Sequence, residues 1–462
     1  MFRRSILQEL ETWSAKPDRK PLVIRGARQV GKTTVVHQFS SQFRQYIYLN
    51  LELKDDRALF LDFRNVDQLL QAMFFLKDKS LAARAETLVF IDEIQEVPEA
   101  LNVLRYLYEQ ASDVRVIAAG SMLESLFNQN IHFPVGRVEY KVLRPVSFPE
   151  FLEALGERSA LEQLLHFPPR DFAHAKLMEC YHLYAMVGGM PEVVQHYARH
   201  RDLAALAPLF DSLIASYLDD VEKYAAHANQ ILHLRHAIQS AFLEAGRRIK
   251  FEGFGQSAYT SRDMGECLRI LEKALLLHLV YPNTSTTLPL QPDLKKSPRL
   301  QVLDTGMLNH FLGLRKNILG TKDLSSVYQG TMIEHLTGQE LLATRKDALG
   351  SLHFWVREKK GSTAEVDFLL QHEGRVIPLE TKSGKSGTLR SLHQFMESSP
   401  HDVAVRFYAG QWHVDAVHTP EGKAFFLLNL PYYMGSQVQR CLGGFEESGM
   451  RGEERGPLDV QR

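Results

Sequence analysis

The sequence predicts an α/β protein, with a parallel sheet flanked by helices at the amino end, a helical middle, and a second α/β module toward the carboxyl end. Three observations predict it. Residues 1–155 alternate short apolar runs with amphipathic segments, the pattern of buried parallel strands covered by helices. A glycine-rich loop, Gly26 to Thr33, lies between the apolar run Leu22–Ile24 and a segment carrying Val35, Val36, Phe39 and Phe43 at helical spacing. Strand-like runs return between about 320 and 430, after a long helical stretch.

The first module, residues 1–155, has candidate strands at Leu22–Ile24, Tyr46–Asn50, Thr87–Ile91 and Val114–Ala118. Residues 156–245 read as a helical lid or connector, with Leu161, Leu164 and Leu165, then Leu177 to Val187, broken at Gly188-Gly189-Met190-Pro191 before another helix. Residues 246–315 surround an amphipathic helix, Met264–Leu277, followed by a strand at Leu279–Tyr281. Residues 316–435 open with a helix over Met332–Leu342 and continue with strands Phe354–Val356, Val366–Leu370, Val376–Leu379 and Val403–Tyr408. Residues 436–462, rich in glycine and charge from Gly443 onward, are expected to be disordered.

Composition narrows the class. Hydrophobic residues make up 45% and charged residues 24% of 462, and 54 basic groups against 55 acidic ones leave a net charge of −1, so any nucleic-acid surface must be local. Three scattered cysteines, Cys180, Cys267 and Cys441, form neither a disulfide framework nor a zinc cluster. No run approaches the roughly 18 apolar residues of a membrane span, and no apolar segment follows Met1-Phe-Arg-Arg, so the expected address is cytoplasmic.

The loop Gly26-Ala27-Arg28-Gln29-Val30-Gly31-Lys32-Thr33 has P-loop spacing. Its glycines let successive N–H groups face the phosphates of ATP, with Thr34 in the first helical turn. Lys32 supplies charge to the β- and γ-phosphates, and the Thr33 hydroxyl reaches Mg²⁺. Downstream, Leu88-Val-Phe-Ile91 ends in Asp92 and Glu93, a Walker B pattern in which Asp92 holds the metal and Glu93 polarises the attacking water. The second acid points to hydrolysis rather than small-molecule phosphorylation. Ser121 ends a further strand, Val116 to Gly120, where a γ-phosphate sensor would stand, although a Gly-Ser pair also makes an ordinary turn. Arg137, after Gly136, is either a finger reaching a phosphate in its own or a neighbouring subunit, or one half of an ion pair.

Taken together, Val23 to Thr34, Phe90-Ile-Asp-Glu-Ile-Gln95, Ala119-Gly-Ser121, Gly136-Arg137 and Pro145-Val-Ser-Phe-Pro-Glu-Phe151 resemble the prokaryotic AAA-type ATPases that carry a C-terminal domain of uncharacterised function. Val187-Gly-Gly-Met-Pro-Glu192 and Leu303-Asp-Thr-Gly306 match that family's middle section. The resemblance spans about residues 18–410. It implies an ATPase core, a winged-helix-like middle and a nuclease-like C-terminal fold.

In the middle, Arg247, Arg248, Lys250, Arg262, Arg269, Lys273, Lys295, Lys296 and Arg299 face five acids, a local excess of four positive charges. This stretch is a candidate DNA surface, with a solvated helical face or a protein connector as the alternative. Toward the carboxyl end, Asp367, Glu380 and Lys382 fall on one face of two adjacent strands if these pair as a hairpin. Glu334 on the preceding helix adds a further acid. Asp-x12-Glu-x-Lys after a helical glutamate resembles the PD-(D/E)xK nuclease fold, with Asp367 and Glu380 as metal ligands and Lys382 orienting water. Alternating charges on an exposed strand give the same pattern without chemistry. The sequence therefore predicts a Mg²⁺-dependent ATPase whose nucleotide state controls a DNA-binding, nuclease-like module, or a non-cutting ATP switch, with DNA and a second copy of the chain as candidate partners.

Overall fold

The computed structural model describes residues 2–61, 65–121, 136–225, 227–318, 326–327, 330–345, 350–358, 364–382 and 389–448. Strands β1 (Leu22–Arg25), β2 (Gln45–Asn50), β3 (Thr87–Asp92), β4 (Arg115–Gly120) and β5 (Glu139–Val142) form one sheet in the order β2-β3-β4-β1-β5, every pair parallel. All six residues of β3 are buried, as its unbroken apolar run requires of a strand covered on both faces. Arg25 pairs with Gly120 on one side and Val142 on the other, so the loops after β1 and β4 open along the same carboxyl edge, where such sheets bind ligands. Strand β5 was not expected. Its residues, Glu-Tyr-Lys-Val, are half-buried at the sheet edge and carry no apolar run to announce them.

The middle begins with the helices Arg158–Leu164, His174–Val187, Pro191–His200, Ala207–Asp220 and Ala228–Leu243. Gly188, at φ 73°, stops the second of these, and Pro191 opens the third, the usual asymmetry of helix ends. The helix Ser261–Lys273, capped by Thr260 on the Asp263 N–H, packs on Ala228–Leu243. It ends four residues before the expected Leu277 because Leu275 turns to φ 60°. An antiparallel pair follows, β6 (Leu277–Val280) with β8 (Arg299–Val302), and β7 (Pro282–Asn283) lies between them in sequence.

The helix Thr331–Ala343 leads into β9 (Phe354–Val356), β10 (Glu365–Val366), β11 (Phe368–His372), β12 (Arg375–Thr381), β13 (Val403–Tyr408), β14 (His413–His418) and β15 (Ala424–Pro431). Five of these make a mixed sheet, β11-β12-β13-β15-β14. Strands β10, β9 and β7 make a small sheet that ties this module to the middle. The β11–β12 hairpin turns through Glu373 and Gly374, both at positive φ, which matches the twist of paired strands. The single strand expected at Val366–Leu370 is broken at Asp367.

The expectation of disorder from residue 436 is corrected as far as residue 448. Val438–Glu447 is a helix with Val438, Cys441, Leu442 and Phe445 buried. Gly444 is there for packing: a Cβ would lie 2.4 Å from the Phe167 ring. Residues 449–462 lie outside the described residues.

One hydrophobic core runs unbroken through all the modules, from Val36 and Phe90 through Phe148, Tyr184 and Leu271 to Leu379, Leu430 and Phe445. Separate clusters fill the other face of the first sheet and the space under the helix Arg390–Ser398. The three cysteines are free and buried. No helix among the described residues is long and apolar enough to cross a membrane.

Candidate functional site

Two clusters of charge stand out, one at each end of this core. The first is the glycine loop after β1. A Cβ on Gly26 would meet the Leu143 carbonyl at 2.5 Å, and Gly31 holds φ 92°, so the loop curls as glycine permits. Lys32 opens the helix Lys32–Ser40 and folds its ammonium back onto the Gly26 and Ala27 carbonyls at 3.0 and 2.9 Å. Burial lowers its pKa to about 8, against the pull of Glu93 and Asp92. Its hydrogen bonds go to neutral carbonyls, with Glu93 and Asp92 acting through space, and a phosphate would be a stronger partner.

Thr33 Oγ1 donates to Asp92 Oδ2 at 2.7 Å, so hydroxyl and carboxylate already converge. Two hard oxygens in this arrangement suit Mg²⁺. Asp92 is buried, which raises its pKa, and the Thr33 bond works against that rise. Glu93 takes a left-handed backbone, φ 51°, rare for a residue with a side chain. The twist turns Glu93 out of the strand direction, and Gln95 Nε2 donates to its Oε2 at 2.5 Å. Ser121 follows Gly120, the partner of Arg25, and so flanks the loop.

Arg137 lies elsewhere. It precedes β5, at the amino edge of the sheet, roughly 16 Å along the strand from Val142, and its Nε donates to Glu109 at 3.0 Å. Within one chain it does not reach the loop, and the ion-pair alternative describes its contacts.

Several residues around the loop had no sequence signal. Asp220 pairs with Arg28, and Tyr217 Oη donates to the Arg28 carbonyl at 2.8 Å, so the helix Ala207–Asp220 closes one side. Pro191 lies 3.6 Å from where a Gly31 Cβ would be. Buried Arg4 donates to the Val30 and Arg144 carbonyls and pairs with Glu150 at 3.1 Å. Each contact joins residues far apart in the chain, where periodicity and spacing are silent.

The second cluster lies in the C-terminal module. Phe368 pairs with Leu379, which brings Asp367 beside Glu380. Asp367 Oδ2 accepts the Thr381 N–H at 2.7 Å, and Lys382 Nζ donates to Glu380 Oε1 at 2.7 Å. Glu380 Oε2 is buried without a hydrogen-bond partner among the described residues. Burial, then the charge of Asp367, raises both Glu334 and Glu380 to about 8, and burial also raises Asp367. Lys382, which burial would lower, is raised by Glu380.

Between these acids lies a residue assigned to the basic stretch, Arg299 of β8. Its Nη1 donates to the Asp367 carbonyl at 3.1 Å and lies 3.9 Å from Glu334 Oε2. Nη2 pairs with Glu365 and lies 3.9 Å from Asp367 Oδ1. The guanidinium covers the Phe354 ring at 4.9 Å. Arg248 adds a second contact to Glu365 at 3.8 Å. The local excess of positive charge is therefore partly spent inside the protein, where Arg299 and Arg248 pair with acids. Among the described residues, the one trio of ligand atoms within 4.8 Å of each other is His372, Glu373 and Glu446, where Arg375 already pairs with both acids. Glu334, Asp367 and Glu380 are spread wider.

Residues 18–152 match a family model described as an AAA domain. Residues 178–317 and 329–423 match two models described as domains of unknown function, DUF8612 and DUF4143. No curated protein sequence matches the chain. Among solved structures it is similar to a Walker-type ATPase of Pyrococcus abyssi, at 16% identity and TM-score 0.44, over 68% of this chain and 96% of that one. It is also similar to the Aeropyrum pernix ORC1 protein in complex with DNA, at 13% identity and TM-score 0.29, over 68% and 93%. The amino-terminal module is an ATPase-like AAA domain carrying a P-loop.

Proposed function

We propose that the protein is a Mg²⁺-dependent ATPase whose nucleotide state controls a DNA-binding, nuclease-like C-terminal module. In the ATP site, Lys32 meets the phosphates, Thr33 and Asp92 hold the metal, Glu93 aligns the water, and Ser121 contacts the γ-phosphate. An arginine from a second copy, Arg137, completes the site only in an assembly. In the C-terminal site, Asp367 and Glu380 hold a divalent ion beside Lys382, with Glu334 nearby, and the ion supplies Lewis acidity for phosphodiester hydrolysis. The orphaned Glu380 oxygen and the acid pairing supply the donor set for that ion.

One observation carries the idea of control: a buried hydrogen-bond network that links the P-loop's neighbours to the helix bearing Glu334. Gly189 N donates to Asp304 at 2.6 Å, and Val146 N donates to the Gly189 carbonyl at 2.7 Å. Tyr184 Oη bonds the Val146 carbonyl at 2.7 Å and Glu340 Oε1 at 2.8 Å, and accepts from Gln339 at 2.8 Å. Gln339 also takes the Thr305 N–H, and Glu340 takes the Phe148 N–H. Gln339 and Glu340 share the helix Thr331–Ala343 with Glu334, which lies roughly 9 Å away along the axis. A shift of Pro191 against Gly31 on nucleotide binding thus has a stiff route to the acids. The winged-helix-like reading of residues 246–315 is supported by the helix Ser261–Lys273 followed by the β6–β8 pair, although the helix it packs on, Ala228–Leu243, belongs to the preceding segment.

The test is DNA retention and cleavage, with Mg²⁺ or Mn²⁺, under ATP, ADP and no nucleotide. Nucleotide-dependent behaviour that Lys32→Ala abolishes is expected, and identical behaviour in all three states sinks the control. The second reading, a non-cutting switch that grips nucleic acid or a protein, is favoured by Arg299 among the acids. It predicts retention without cleavage, indifferent to Asp367→Ala and Lys382→Ala.

A further inference from the structure

We infer that Arg299 is a built-in cation gate: a divalent ion enters the C-terminal acid site only when this guanidinium leaves it. The inference rests on the reading of Asp367 and Glu380 as metal ligands. Arg299 is buried and addresses Asp367 Oδ1, the Asp367 carbonyl, Glu334 and Glu365 together. One of those groups, Asp367, is a ligand in that reading, and a second, Glu334, is the acid beside it. A guanidinium has donors only and keeps its charge at any ordinary pH, so it cannot be titrated out of the way. It must move.

The fold supplies a lever. Arg299 starts β8, and β8 is locked to the acid-bearing helix at its other end. Val302 N donates to His335 Nε2 at 2.9 Å, and Gln301 Nε2 donates to the His335 carbonyl at 2.9 Å. Two residues past β8, Asp304 accepts the Gly189 N–H, so the strand that delivers the guanidinium ends in the network beside the P-loop. A swing of the amino end of β8 about this lock changes the Arg299–Glu334 and Arg299–Asp367 contacts directly. The middle module, on this view, decides whether the acids face an arginine or a metal.

The experiment is Mn²⁺ binding to the full chain without nucleotide, read by electron paramagnetic resonance or calorimetry rather than by cleavage. Arg299→Gln keeps hydrogen-bonding capacity and removes the charge; it is expected to bind Mn²⁺ at least tenfold more tightly than wild type, with the gain lost on adding Asp367→Asn. Equal, Asp367-dependent affinity in wild type and Arg299→Gln overturns the gate while leaving the metal site standing. Absence of Asp367-dependent binding in both overturns the gate together with the metal-site reading. Should Arg299→Gln fail to fold, Arg299→Lys serves instead: it loses the fork that holds the acids and is expected to bind Mn²⁺ more tightly than wild type, whereas wild-type affinity there overturns the gate.

Discussion

The two charged sites of this protein are built in opposite ways. At the P-loop, Lys32 rests on two neutral carbonyls, while Thr33 and Asp92 already meet. In the C-terminal module, Arg299 is held by carboxylates and Glu334, Asp367 and Glu380 crowd around it. The first site is one exchange of partners away from binding an anion; the second has its counter-charge installed. The contrast teaches that a cluster of acids is informative about chemistry only once the cation facing it is known.

The largest test of that contrast is Lys32→Ala. ATP turnover should fall by about three orders of magnitude, since the charge there is uncommitted and meets the phosphates directly, while Mn²⁺ binding at the acid site stays unchanged. Loss of both in a steady-state ATPase assay and a metal titration would show that the sites are not electrostatically independent. Glu93→Gln comes next. Turnover should drop by about a hundredfold with ATP binding retained, as a fluorescent-nucleotide titration would read.

A smaller effect concerns the network between the sites. Burial raises Glu340 from 4.5 to about 7, with Tyr184 and Phe148 opposing, so the folded chain keeps a proton that the unfolded chain releases. The stability from that proton is present below pH 4.5 and is lost as pH rises through 7. Glu340→Gln cannot ionise. The stability advantage of wild type over this variant should shrink by about 2–3 kcal/mol between pH 5 and pH 8 in denaturant titrations. The smallest expected change is Arg137→Ala, within about twofold in turnover at concentrations where the chain is monomeric, because this surface ion pair lies at the far edge of the sheet. A loss that appears only as concentration rises would instead give Arg137 a role across copies.

What the sequence could tell follows the same division. The loop Gly26–Thr33, Asp92 and Glu93 are legible because the parts lie in contiguous motifs, and β1, β3 and β4 because buried parallel strands read as apolar runs, while β2, at the sheet edge, shows through aromatic and β-branched residues with Ile47 and Leu49 alternating inward. Asp367, Glu380 and Lys382 came together because a hairpin with a short turn fixes register locally. Arg299 was hidden: its partners Glu334, Glu365 and Asp367 lie 35 to 68 residues away, and in sequence it is one more charge in a basic stretch. Asp220 and Tyr217 on Arg28 are farther still. The last helix was legible in principle, with Val438, Cys441, Leu442 and Phe445 at helical spacing, but the charged stretch from Gly443 reads as having little to bury until Phe167 is seen packed against Gly444.

The unbroken core has a practical consequence for dissecting the molecule. A fragment cut after residue 155 would bare Val146, Phe148, Phe151 and Leu152, side chains whose cover comes from the helices and sheet downstream. Such a piece would clump rather than report on the intact chain, so the protein has to be taken apart one side chain at a time.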